Sequence, residues 1–543
     1  MRNWTEVYTI GDLLGRAVER FTDQDALVFP TGRQTYGQLD RAATNHARSL
    51  VAMGIGSGDH VGILLPNCPE YAEVLLACAL IGAWAVPINS RYKSLELAYV
   101  VENADLVALV TTDVIDEFVD FVGLLNQALP SLAEAGDPHA LRLTEAPMLQ
   151  SIVLLGEKSP HGMLDQAAFR ALGEGVDVDE VNRRRSRVAV RDVAIMMYTS
   201  GTTANPKGCP LTHEAVVRPA LEAGRTRFEL QATDKVWDPL PMFHMSFVLP
   251  FVACMDAGAA LLSMERFEPG EALRYMREER ATVNFASFPT LAQAFLSHPD
   301  YRSEDLYFRI INLVAPPDLL RSIQAAMPNA RQISAYGLTE AGGVSAFGEP
   351  DDTDEQRATT SGRPFRGVEV AVRDPETNEP VATGERGELV LRGYCLFEGY
   401  YKDPVKNAEA VDAAGWLHTG DLGRIDSEGR ITYVGRVKDM LKVGGENVAA
   451  TEIESYLQTH PSVLLAQVVS APDAKYGEVP AAFVQVRPGA TVDAEELISF
   501  CTGKISSFKV PRYVRFVDSW PMSATKVQKY RLRDQLAAEL RSL

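Results

Sequence analysis

Apolar and polar positions alternate in blocks along the first 300 or so residues. HVGILLP (60–66), WAVPIN (84–89) and LVALVTT (106–112) are short apolar runs that read as strands. YAEVLLACALIGA (71–83) and LELAYVVENA, lying between them, read as helices. Such alternation predicts parallel strands joined by helices. The pattern resumes with KVWDPLP, AALLS, TVNFAS and RIINLVA as strands, and EALRYMREER and DLLRSIQAAM as helices. VAIMMY, just before residue 199, reads as one more buried strand.

The stretch from 113 to 190 is less regular. Its polar segment GEGVDVDEVNRRRSR (173–187) reads as a solvated loop, with a phosphate contact by Arg183 to Arg185 as the alternative. From about 366 the texture is β: VEVAVRD, GELVLRG and ITYVG are separated by Gly- and Asp-rich turns. After 440, ATEIESYLQTH and AEELISFC read as helices, and VLLAQVVS, AAFVQVR and YVRFV as strands. That last segment has the size of a separate, lid-like domain.

The 543 residues exceed one hydrophobic core, so two or more domains are expected. Apolar content of 46% and charged content of 23% suit a globular chain. The net charge of −19 argues against a general nucleic-acid binder. The start, MRNWTEVYTIGDLL, lacks the apolar core of a signal peptide, and no apolar run of membrane-spanning length occurs. The six cysteines contain no CxxC pair, against a disulfide framework or zinc site. The expected setting is cytoplasmic, without integral membrane contact.

YTSGTTANPKG (198–208) leaves the buried strand for hydroxyls, glycine and one cation. Ser200, Thr202 and Thr203 offer donors, Gly201 and Gly208 allow close backbone approach, and Lys207 supplies a compact charge. These fit a polyphosphate cradle, or a flexible surface turn. The GK[ST] ending of a P-loop is absent.

TSGTTGxPKG is the signature of the adenylate-forming superfamily of acyl-CoA synthetases, peptide-synthetase adenylation domains and luciferases. YTSGTTANPKG resembles it closely, with Ala204 where the family usually has Gly. AYGLTE (335–340), GWLHTGDLG (415–423), GRVKDMLKVGGENV (435–448) and SATKVQKYRLR (523–533) resemble the later motifs, in family order, and the likeness runs from about residue 10 to 540. The last lacks the Gly that normally precedes the catalytic lysine.

The resemblance implies an α/β fold. Residues 1–437 would form a large N-terminal adenylation domain of two mostly parallel α/β subdomains and a β-rich one. Residues 438–543 would form a small mobile α+β lid, hinged near Lys438. It implies nucleotide contacts from Thr199, Ser200, Gly201, Thr202, Thr203, Lys207, Ala315, Pro316, Tyr336, Gly337, Thr339, Asp421, Tyr433 and Arg436. Lys526, Lys207 and Glu340 would be catalytic, and Glu340 with Thr339 would serve Mg²⁺, a hard cation suited to a carboxylate plus phosphates. Lys529, further along, reads as an ordinary surface lysine.

PMFHMSF (241–247) and FASFPT (285–290) resemble pocket walls, so Phe243, His244, Phe247, Phe285 and Ser287 are expected around the acid. These aromatic and apolar surroundings favour a fatty, aryl or alicyclic acid. Gly444, Gly445 and Glu446 would line the CoA tunnel. The implied reaction uses ATP, Mg²⁺ and CoA: the carboxylic acid becomes acyl-AMP with release of pyrophosphate, then acyl-CoA. The alternative acceptor is a carrier-protein thiol. Dimers are common in the family, so a homodimer is among the implied partners.

Overall fold

Apolar runs become parallel strands wherever a helix carries the chain back. The computed structural model describes residues 7–115, 117–199, 205–443, 446–473, 476–523 and 526–542. Ser200, Gly201, Thr202, Thr203, Ala204, Gly444 and Gly445 lie outside the described residues.

One sheet runs Ser151–Leu154, Ala108–Thr111, His60–Leu64, Trp84–Pro87, Val193–Thr199, Lys207–Thr212. Its neighbours are parallel except the last pair, an antiparallel hairpin. A second sheet runs Arg331–Ile333, Ile310–Leu313, Val283–Ser287, Lys235–Trp237, Ala260–Leu262, Asp25–Phe29, Gly32–Thr35. It too is parallel apart from its final hairpin.

The helices Pro69–Ile81 and Met245–Ala257 are apolar on nearly every side and almost wholly buried. A helix of that kind has to be an inner layer. One continuous apolar cluster joins them to a face of each sheet, and two further clusters cover the opposite faces.

Val368–Arg373, Gly387–Gly393, Leu417–Ile425 and Ile431–Arg436 form an antiparallel sheet. The short turn Val437–Asp439 then leads into a five-stranded sheet with its own core, including Leu441, Ile453, Val468 and Leu497. Ser523 pairs with Lys526 in a small antiparallel hairpin, followed by the helix Lys529–Ser542. Among the described residues no helix is long and apolar enough to cross a membrane. All six cysteines are free and buried.

The 173–187 stretch is not a loop. Asp177 caps the helix Val178–Arg185. Arg183 and Arg184 pair with Glu180, while Arg185 reaches Asp12 on the first helix. The arginine cluster therefore serves helix packing. Lys529 is not an ordinary surface lysine either: its Nζ lies 2.6 Å from the buried Glu454 carboxylate.

His213 begins the helix that follows the hairpin, and its Nδ1 accepts the Ile10 N–H at 3.1 Å. Burial lowers its pKa from 6.5 to about 4, so the folded protein resists protonation that the unfolded chain accepts. Stability should fall as pH drops from 6.5 towards 4, by up to about 3 kcal/mol from this group. His213→Gln keeps an acceptor and cannot titrate. Melting curves at pH 7 and pH 5 should show a smaller loss for His213→Gln than for wild type; equal losses would refute the assignment.

Candidate active site

Four neighbouring parallel strands bring the expected residues to their carboxyl ends, where open α/β sheets present ligand crevices. After Lys235–Trp237 the chain reaches Phe243 and His244, and His244 occupies the N-cap of the buried helix Met245–Ala257. Val283–Ser287 ends at Ser287, which adopts φ of 52° and accepts a hydrogen bond from Asn312 Nδ2 at 2.9 Å. Ala315 and Pro316 join Ile310–Leu313 to the helix Pro317–Ala326. Arg331–Ile333 leads to Ala335–Tyr336 and the turn Thr339–Ala341.

The loop after Tyr336 is fixed by close packing. A Cβ at Gly337 would lie 2.3 Å from the Gly343 carbonyl oxygen and 2.4 Å from the Val344 Cα. Gly343, at φ of 89°, packs so tightly on Met245 that a Cβ would approach its side chain to 2.6 Å. Glycine at these positions lets the Glu340 turn sit beside the helix that begins at His244.

On the other sheet, hairpin register pairs Thr199 with Lys207. Lys207 Nζ stands 4.8 Å from the centroid of the Tyr400 ring, and the Tyr400 hydroxyl donates to Glu340 Oε1 at 2.9 Å. Thus two charges from distant motifs meet at one aromatic side chain. Asp421 and Arg436 are cross-strand partners, with Arg436 Nε 2.7 Å from Asp421 Oδ1. The Tyr336 hydroxyl donates to Asp421 Oδ2 at 2.9 Å, and the Tyr336 ring stacks against Tyr433 at 6.3 Å.

Burial opposes charge on Arg436, but Asp421, Tyr433 and Glu340 outweigh it and hold the guanidinium pKa above its ordinary value. Burial and the Asp421 carboxylate push the Tyr336 phenol well up, so it remains a donor. Glu340 offers hard carboxylate oxygens beside Thr339, which fits a magnesium ion shared with phosphates. The acidic cluster Glu349, Asp351 and Asp352 is of another kind: Glu349 faces Arg227 and Arg363, and Asp352 pairs with Arg430.

Among the expected acid-pocket residues, His244 is half-buried. Phe285 is buried against Phe228. Phe247 is fully buried between Tyr71 and Phe251, so it belongs to the inner-layer core. Lys438, Lys526 and Glu446 lie on the 437–439 turn, the small C-terminal hairpin and the strand Glu446–Ala449. Tyr400 is the residue that sequence reasoning missed: it lies in the GYY run, 60 residues after Glu340, with no charge to flag it.

The chain matches the AMP-binding enzyme family over residues 14–401, and the AMP-binding enzyme C-terminal domain over residues 452–526. It is 37% identical to the putative acyl-CoA synthetase YngI of Bacillus subtilis (strain 168), over 97% of each chain. It is 32% identical to the mitochondrial medium-chain acyl-CoA ligase ACSF2 of Mus musculus, over 98% of this chain and 88% of that one. The crystal structure of the anthranilate CoA ligase AuaEII with anthranoyl-AMP superposes with a TM-score of 0.85 at 25% identity, covering 99% of this chain and 98% of that one.

Gly337→Ala places a methyl group against backbone on two sides, where flexible side chains cannot yield. Overpacking of this kind costs about 1–3 kcal/mol. Thermal melting should show the apparent Tm lowered by several degrees; an unchanged Tm would contradict the packing described.

Proposed function

The chain belongs to the AMP-binding enzymes, among the acyl-CoA synthetases, and from that premise we propose that it activates a hydrophobic, medium-chain or aryl carboxylic acid. The enzyme is an AMP-forming acid–thiol ligase that uses ATP and CoA. The observation that carries the reading is the convergence of Lys207 and Glu340 at one end of the site and Asp421 with Arg436 at the other.

In the first half-reaction an acid carboxylate oxygen attacks the α-phosphorus of ATP. A new P–O bond forms as the bond to pyrophosphate breaks. The transition state concentrates negative charge on phosphate oxygens, so catalysis is positioning and charge stabilisation. Lys207, with Ser200, Thr202 and Thr203, grips the β- and γ-phosphates. Lys526 serves the carboxylate and the α-phosphate, and Asp421 with Arg436 holds the ribose, near which Tyr336 and Tyr433 stack. Magnesium, held by Glu340 beside Thr339, would neutralise phosphate charge.

In the second half-reaction the CoA sulfur attacks the acyl carbon, and the bond to AMP breaks. Water must be excluded meanwhile, because acyl-AMP hydrolyses. Residues 438–543 act as a lid pivoting near Lys438, with Gly444, Gly445 and Glu446 beside the pantetheine arm. The turn Val437–Asp439, between two sheets with separate cores, supports the pivot. Six free cysteines support a reducing, cytoplasmic setting. The buried aromatic surroundings of His244, and a relative named for medium-chain acids, support the acid class.

ATP–pyrophosphate exchange over a panel of acids, followed by CoA, tests the reading. Exchange should be strongest with medium-chain or aryl acids, and CoA should convert acyl-AMP into thioester. Acyl-AMP that accumulates without thioester would point to a carrier-protein thiol. Lys526→Ala should lower exchange by about 100-fold or more, while thioester formation from supplied acyl-AMP persists. Exchange at the wild-type rate would remove Lys526 from its role.

A further inference from the structure

The Tyr400 ring occupies an unusual place between opposite charges. Its face receives Lys207 Nζ at 4.8 Å, and its hydroxyl donates to Glu340 at 2.9 Å. Both charges also act on the buried thiol of Cys209, two residues after Lys207 on the same strand. An ammonium and a carboxylate this close in a partly dry site would favour direct contact. Such a contact would turn Lys207 away from phosphate and neutralise Glu340.

The backbone that carries the ring is held from several sides. Tyr400 N donates to Asn407 Oδ1 at 2.5 Å, and Asn407 Nδ2 donates back to the Tyr400 carbonyl at 3.0 Å. On either side of it, Phe397 N donates to the Glu340 carbonyl and Tyr401 N to the Gly208 carbonyl, both at 2.9 Å. The Phe397 ring packs edge-on against Tyr400 at 4.8 Å. The backbone that carries the ring is therefore stitched to both charge-bearing segments.

We propose that Tyr400 is a positioning residue that acts as a spacer, keeping Lys207 from pairing with Glu340 so that the lysine stays directed at nucleotide phosphates. The inference rests on the ATP site proposed above. Direct binding separates the two ideas, because a nucleotide analogue in EDTA reports Lys207 without metal and without turnover.

Calorimetric titration with α,β-methylene-ATP in EDTA is the test. Tyr400→Leu removes the ring and should weaken binding about tenfold. Adding Glu340→Gln removes the competing carboxylate and should restore affinity in that background. The gain should be at least about fivefold larger than Glu340→Gln gives in wild type, as a double-mutant cycle reads. Tyr400→Phe keeps the ring face and should stay within about threefold of wild type.

A purely structural tyrosine would give equal Glu340→Gln gains in both backgrounds, and that outcome overturns the spacer. Loss in Tyr400→Phe as deep as in Tyr400→Leu overturns it as well. Should Tyr400→Leu not fold, Tyr400→Gln takes its place in the same cycle. Wild type that fails to bind the analogue would instead overturn the nucleotide site itself.

Discussion

The register of one antiparallel hairpin fixes the chemistry of the site. Val193–Thr199 and Lys207–Thr212 pair so that Thr199 faces Lys207 and Tyr198 faces Gly208. A slip of one residue would send every side chain of the second strand to the opposite face. The strand's outer edge would otherwise expose unpaired carbonyls. Instead Glu398 N donates to Pro210 O at 3.0 Å and Tyr401 N to Gly208 O at 2.9 Å. Proline suits this edge because its carbonyl is the group in use. The same bonds bring Tyr400 to Lys207, and the Phe397 bond to the Glu340 carbonyl ties in the second motif. Closing a sheet edge and bringing Lys207, Tyr400 and Glu340 together are one event.

The Asp421 end obeys a different constraint. Asp421 is 3% exposed, so its charge needs compensation inside the protein. Arg436 and Tyr336 provide it from the adjoining strand and from the Tyr336–Glu340 loop. Removing one partner of such a group costs more than the pair contributes, since a buried charge is left behind. The sheet that carries Asp421 is thereby tied to the short strand Ala335–Tyr336, which directly follows the last strand of the second parallel sheet.

Much of this was legible in the sequence, for identifiable reasons. Strands buried on both faces leave continuous apolar runs, so HVGILLP and VAIMMY announced themselves. Motifs dense in Gly, Thr and charge stood out because a hydrophobic core does not call for such residues. The helix Val178–Arg185 did not stand out: only Val181 is buried, and the rest is held by a cap, ion pairs within the helix and one ion pair to distant Asp12. Phe247 read as a pocket wall because composition cannot separate an aromatic facing a ligand from one facing Tyr71 and Phe251. Tyr400 and Lys529 escaped for a shared reason. Their meaning lies in partners 60 and 75 residues away, and only folding brings those together.

The chain's charge sharpens the demand on the few cations in the site. At −19 overall, the protein repels the anionic nucleotides that its family uses. That repulsion is weak at contact range, because charges more than about 8 Å apart are screened at physiological salt. What decides binding is the local arrangement, and there the balance is delicate. Lys207 and Arg436 each stand near an acidic group, Glu340 and Asp421. Asp421 is matched to its cation directly, which suits the ribose contact proposed for it. Glu340 meets Lys207 only through an aromatic ring, which suits the metal-binding role proposed for it. The two ends of the site thus use the same kinds of charge in opposite ways, one paired and one kept apart, and the difference lies in whether a tyrosine stands beside the ion pair or within it.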